Sequence, residues 1–102
     1  MRFTTVYPGA YAGRWPHIHF EVYPSLEAAI TASGKLRTSQ LALPEAACRR
    51  VYATDGYRQS LQNLSQTSLE TDMVFSDGYS LQLAKVTGTV AGGMTATLNV
   101  PV

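Results

Sequence analysis

Several short segments of this 102-residue chain alternate polar and apolar residues, most clearly residues 17–22 and 94–100. A period of two is typical of β-strands, because successive strand side chains point to opposite faces. Turn-forming residues separate several of these segments, and residues 76–78 are expected to form the tight link of a hairpin. We predict strands at residues 2–7, 17–23, 36–43, 71–75, 79–87 and 94–100.

Two further segments carry helix signals. Ser25 can cap residues 25–32, where apolar residues follow at helical spacing, so a short helix or a broad loop is expected. Pro44 stands at a first-turn position before residues 45–51 and predicts a second helix there. The fold class expected for residues 1–102 is all-β, a single antiparallel two-layer β-sandwich domain with one or two short helices.

The two histidines of the chain lie two residues apart, at His17 and His19. On a strand they share one face, with Cα atoms about 6.6 Å apart, and two imidazoles at that spacing can reach one cation. The phenol of Tyr11 and the guanidinium of Arg14 approach from the preceding turn. Ile18 and the next alternate residues make the other face apolar, as a core-facing strand requires. A metal site and a pair of half-exposed histidines both remain open from this pattern.

Glu21 lies on the same strand face and suggests a rival ligand set of two histidines and a carboxylate. Distance argues against this set. Four residues of strand carry Glu21 about 13 Å beyond His17, which is too far for both side chains to bind one ion.

The segments around the histidines resemble one known family. The run FTTVYPGAY at residues 3–11, Gly13, Arg14 and the run HIHF at 17–20 are similar to the signature of the intradiol ring-cleavage dioxygenases, which include catechol and protocatechuate dioxygenases. Weaker similarity continues through LRTSQL at 36–41, DMVF at 72–75 and GMTATLNV at 93–100. The resemblance covers nearly the whole chain and is most specific in its first third.

The resemblance implies a non-haem iron enzyme that cleaves catechol-type aromatics between their two hydroxyls with O2. It implies Fe3+ as the cofactor, His17 and His19 as neutral ligands, and Tyr11 as a tyrosinate that leaves the metal when substrate arrives. Arg14 matches the family's active-site arginine, and Gln40 matches a glutamine near the substrate pocket. Arg14 is expected to stabilise the displaced tyrosinate and the anionic intermediate, because a nearby positive charge lowers the pKa of a phenol.

The family has a second tyrosine ligand upstream of this signature. We expect the present chain to begin after it, so that an N-terminal part is absent. Phenolate oxygens favour trivalent iron, and the loss of one is expected to leave the isolated chain with little activity. Of the other tyrosines, Tyr7 is the first that could substitute as a ligand.

Net charge, hydropathy and cysteine content argue against several other kinds of function. A formal net charge of +1 with scattered Lys and Arg leaves no basic stripe for nucleic acid. No apolar run approaches the roughly 20 residues of a membrane span, so neither nucleic acid nor membrane is an expected partner. The single cysteine, Cys48, excludes an intrachain disulfide and a structural thiolate zinc site. Arg49 and Arg50 could acidify its thiol, although a half-buried structural cysteine is favoured.

Two function classes stay open. One is an intradiol dioxygenase acting on a catechol-type substrate and O2. The other is a non-catalytic β-sandwich binding or interaction module that has lost the full metal site. A truncated sandwich exposes strand edges, so we expect either a homodimer or pairing with the missing N-terminal segment.

Overall fold

The computed structural model of the chain describes residues 2–101, and within them it contains four strands and three helices. In chain order these are β1 (His17–Val22), α1 (Leu26–Ile30), β2 (Arg37–Ala42), α2 (Glu45–Tyr52), α3 (Arg58–Leu64), β3 (Lys85–Thr89) and β4 (Gly93–Thr97). The strands form two separate antiparallel sheets, β1 with β2 and β3 with β4. None of the helices in residues 2–101 is long and apolar enough to cross a membrane.

The β1–β2 pair carries the two histidines. Its register places His17 opposite Ala42 and His19 opposite Gln40, so the strands predicted at 17–23 and 36–43 are confirmed. Helix α1 lies in the connection between them, and the Ser25 side chain caps it by accepting from the Ala28 amide at 3.1 Å. The pairing fixes the positions of the side chains on the histidine face.

The core lies around α2 rather than between two sheets. The buried residues of α2 repeat at helical spacing and form one apolar face, which confirms the helix predicted at 44–51. Trp15, Leu43 and Phe75 pack with this face and are almost fully buried. The indole Nε1 of Trp15 donates to the Leu43 carbonyl at 2.7 Å, which satisfies the polar group of this buried ring.

Helix α3 lies in a polar segment where the sequence analysis predicted no helix. Its sequence, RQSLQNL, buries Leu64 alone, so it has too little apolar periodicity to identify a helix. Polar side chains of α3 instead bind the backbone of Ala10. Ser60 accepts from the Ala10 amide, and Asn63 donates to the Ala10 carbonyl. These tertiary hydrogen bonds therefore help to hold α3 in place, since the helix has only one buried apolar side chain.

Several predicted strands do not form. Residues 2–7 have no strand partner in the described chain, and the predicted strand at 79–87 is paired as β3 only from Lys85 onward. At 71–75 the Asp72 carboxylate accepts from the Val74 and Phe75 amides, which bends the chain into a turn. The hairpin expected at 76–78 is consequently wrong, because turns flank it on both sides.

The predicted two-layer β-sandwich is confirmed only in its antiparallel strand pairing. Antiparallel pairing is present, but two two-stranded sheets and three helices do not clearly make an all-β sandwich. The apolar face of β1 was expected to face a core, yet Ile18 is 36% exposed and Phe20 is only half-buried. Besides β2, no strand or helix of residues 2–101 makes extensive contact with β1.

We predict that Leu64 makes the main apolar contribution of α3 to stability. Leu64→Ala should lower the free energy of unfolding by about 2–5 kcal/mol, because it opens a cavity at a buried site. Leu61→Ala, in the same helix but partly exposed, is the matched control and should cost about 1 kcal/mol or less. Urea denaturation followed by circular dichroism measures both, and equal losses would show that α3 does not pack as described.

Candidate metal centre

Three side-chain donors meet at the start of β1. The Tyr11 hydroxyl lies 3.4 Å from His17 Nε2, and His17 Nε2 lies 3.1 Å from His19 Nε2. The histidines share a strand face, whereas Tyr11 comes from the irregular chain that precedes the turn into β1. The structure therefore brings together the three residues that the sequence singled out.

The two separations that involve His17 suit donors to one metal ion. Two donors each about 2.0–2.1 Å from an ion are about 2.9 Å apart at a right angle and about 3.4 Å apart at a tetrahedral angle. The separations of 3.1 and 3.4 Å fall in that range. Among residues 2–101 no three His, Cys, Asp or Glu side chains form a metal-binding group, and a three-donor centre here would have to include the phenol oxygen of Tyr11.

Backbone geometry fixes the tautomer of His17. Its Nδ1 lies 2.6 Å from the Trp15 carbonyl oxygen, and a carbonyl can only accept, so Nδ1 carries the hydrogen. The neutral ring then presents a lone pair at Nε2, the atom that faces Tyr11 and His19. A backbone carbonyl on the remote ring nitrogen is the usual support of a metal-ligating histidine.

The electrostatics of His17 also favour its neutral form. Burial lowers the pKa of the ring, and the positive charge of Arg14 and the neighbouring His19 lower it further against the opposing hydrogen bond to the Trp15 carbonyl. Since imidazole must be neutral to coordinate a metal, this environment keeps His17 in its ligand form.

Arg14 and Gln40 lie beside the histidines. Arg14 donates through Nη2 to the Gln40 side-chain oxygen at 2.6 Å, and Gln40 stands opposite His19 in the sheet. Facing residues of a strand pair project from the same side, so the guanidinium adjoins the histidine face. Two of its five N–H groups bind Gln40 and Asp72, and three remain for a ligand oxygen.

Asp72 is the site residue that sequence reasoning missed. The buried carboxylate binds Arg14 Nε and the Trp15 amide, both at 2.7 Å. Burial alone raises the pKa of Asp72, but hydrogen bonds from Arg14 and the Trp15 and Val74 amides hold it below the usual value. The available signal was an acidic residue within an apolar segment, since a buried carboxylate requires partners.

Helices α2 and α3 hold the approach segment, residues 7–10, which leads to Tyr11. The Tyr57 and Tyr52 hydroxyls each donate at 2.7 Å, to the Tyr7 and Pro8 carbonyls. Ser60 and Asn63 bind the two backbone groups of Ala10 at 3.0 and 2.8 Å. Because side chains replace a strand partner here, the segment is ordered without being part of a sheet.

The other tyrosines lie away from the metal centre. The Tyr7 hydroxyl binds Cys48 Sγ at 3.1 Å, and burial raises its pKa strongly, so it does not take the place of a ligand here. Tyr23 donates to Glu21, which also keeps that carboxylate outside the donor set. Tyr79 donates to Glu70 at 3.0 Å.

Cys48 is a buried core residue. Burial raises the pKa of its thiol to about 11, so the acidifying effect considered for its two arginine neighbours is absent. Arg49 instead pairs with Glu45 at 3.5 Å on the exposed side of α2.

Comparisons of this chain with protein-family models, with curated proteins and with solved structures found no match.

We predict that metal binding by this chain depends on the His17/His19 pair. The double change of His17 and His19 to alanine removes the two nitrogen donors, and the chain has no other histidine. Bound metal per chain should fall to background, with the circular dichroism spectrum retained. Glu21→Gln, on the same strand but bound to Tyr23, is the control and should leave the stoichiometry unchanged. Normal metal content in the double variant would place the site elsewhere.

Proposed function

We propose that this chain is the ligand-bearing part of a non-haem ferric intradiol dioxygenase that cleaves catechol-type substrates between their two hydroxyls. The observation that carries the proposal is the convergence of one phenol and two imidazoles, with an arginine and a glutamine beside them. These are the residues that the resemblance assigns, and their spacing suits one ion.

The donor set fits the chemistry of ferric iron. A phenolate is a hard, anionic donor and the imidazoles are neutral, a combination that suits Fe3+. When bound, the ion would act as a Lewis acid that withdraws electron density from a catecholate ring and opens a ring carbon to attack by O2.

The residues of the chain would have different roles at the site. His17 and His19 stand on a paired strand, and the carbonyl of Trp15 orients the His17 ring, so they would provide fixed donors. Tyr11 is 56% exposed and lies outside any strand, so its phenol can leave the donor set without disturbing the core. Arg14 would offer its free N–H groups to the displaced phenolate or to a substrate oxygen.

A fourth protein donor is part of this proposal. Tyr11 is the one tyrosine in residues 2–101 that lies at the site, so a second phenolate would come from another segment or from a second copy of the chain. Strand β1 has β2 as its one neighbour in the described chain, and its other edge offers backbone groups for such a segment. Added strands would also extend the two small sheets towards the two-layer β-sandwich proposed for the complete domain.

Tyr11→Phe tests the proposed tyrosinate. The change keeps the ring but removes the donor oxygen, so the visible charge-transfer band of the iron-loaded chain should weaken or shift while iron stays bound to the histidines. Absorption spectra and iron analysis on the same sample measure both. Tyr7→Phe is the matched control and should leave the band unchanged, because that hydroxyl binds Cys48. A band that survives in Tyr11→Phe would assign the colour to another residue.

Oxygen uptake tests the need for a second phenolate. The 102-residue chain should consume O2 slowly or not at all with catechol or protocatechuate. A chain extended upstream through the next tyrosine should be active, because it supplies the missing donor and covers the edge of β1. Full activity of the short chain would overturn this requirement, and a homodimer by light scattering would indicate that a second copy completes the site. A chain that binds no iron at all would favour the non-catalytic interaction module.

A further inference from the structure

One buried carboxylate joins the two parts of the candidate site. Asp72 Oδ1 accepts from the amides of Val74 at 2.8 Å and Phe75 at 3.2 Å. Asp72 Oδ2 accepts from Arg14 Nε and the Trp15 amide, both at 2.7 Å. The two Oδ1 bonds are local and fix the carboxylate within the turn at 71–75. The two Oδ2 bonds reach Arg14 and Trp15, which lie just before β1.

We infer that Asp72 is a positioning residue that uses one oxygen to fix both the Arg14 guanidinium beside Gln40 and the Trp15 backbone that orients His17. Its role rests on the proposed function, because the groups it positions are the anion-binding and metal-binding groups of that site. Asp72 itself touches neither the three donors nor a substrate position in these contacts.

The bond from Arg14 to Asp72 fixes the direction in which the guanidinium points. An arginine side chain has many rotamers, and a carboxylate at Nε selects among them while leaving the far end of the guanidinium open. The Gln40 oxygen takes one N–H of that far end, and three N–H groups stay available. Arg14 is mostly buried, so the charge of Asp72 also balances a cation that has been removed from water.

The link to His17 runs through Trp15. The Trp15 amide binds Asp72, its indole binds the Leu43 carbonyl and its own carbonyl accepts from His17 Nδ1. With the amide and the indole both anchored, the carbonyl has a fixed direction and holds the imidazole with Nε2 facing the other donors. Removing the Asp72 acceptor frees one end of this arrangement.

Nuclear magnetic resonance of the metal-free protein tests the inference directly. Asp72→Asn retains one oxygen, which should stay with the local Val74 and Phe75 amides and turn a non-accepting NH2 towards Arg14 and Trp15. We expect faster solvent exchange of the Arg14 Nε–H, a shifted Trp15 amide signal and a mixture of His17 ring tautomers. Glu70→Gln makes the same carboxylate-to-amide change two residues away and should alter none of these.

Arg14→Met separates the two links. It should leave the Trp15 amide and the His17 tautomer as in the unmodified protein, because Asp72 still accepts from Trp15. In the iron-loaded protein titrated with catechol, Arg14→Met and Asp72→Asn should each weaken binding by about tenfold or more, the size of one charge-assisted hydrogen bond. The double variant should bind no more weakly than Arg14→Met, since Asp72 acts on the ligand through Arg14.

The outcomes separate this role from the proposed function. If the chain binds no iron, the proposed function fails, yet the metal-free spectra still decide whether Asp72 positions Arg14 and His17. Unchanged Arg14 exchange and an unchanged His17 tautomer in a folded Asp72→Asn protein would overturn the inference. If Asp72→Asn does not fold, the unmodified protein decides: slow exchange of the Arg14 Nε–H supports the role and fast exchange overturns it.

Discussion

The arrangement of the candidate site depends on the Asp72 carboxylate. It binds Trp15 and Arg14, which lie 57 and 58 residues earlier in the chain. Four N–H donors surround it, two from its own turn and two from Arg14 and Trp15. A buried charge is tolerated only when it is paired and hydrogen-bonded, and here that requirement joins two distant segments. The other oxygen of the same carboxylate explains why residues 71–75 form a turn, since Oδ1 accepts from the Val74 and Phe75 amides.

Support for the three donors comes from different parts of the fold. The histidines are on β1, whose register with β2 also places Gln40 beside them. Tyr11 follows the approach segment, residues 7–10, whose backbone is bound by side chains of α2 and α3. A donor on a paired strand is held more firmly than one on an exposed connection, because the strand's backbone bonds are cooperative. This difference suits a site in which one ligand is exchanged and two are retained.

Several elements were predictable from local patterns alone. The polar–apolar alternation at 17–23 identified β1, while Ser25 and Pro44 marked the starts of α1 and α2. The proximity of His17 and His19 followed from the period of a strand. Helix α3 was not predicted because it buries only Leu64, and the strand predicted at 2–7 lacks a strand partner. In both cases the deciding contacts are long-range hydrogen bonds, which leave no periodic trace in the sequence.

The sequence by itself determined which chemical groups are present at the candidate centre and which strand face the two imidazoles share. Those properties depend on residue identity and on the two-residue period of extended backbone, both of which are local. Only the tertiary structure decided which carboxylate fixes Arg14 and the Trp15 amide, and that Tyr7 is removed from the site by burial. These outcomes require groups that are tens of residues apart to meet in space, and their geometry depends on how Trp15, Phe75 and α2 pack into one core.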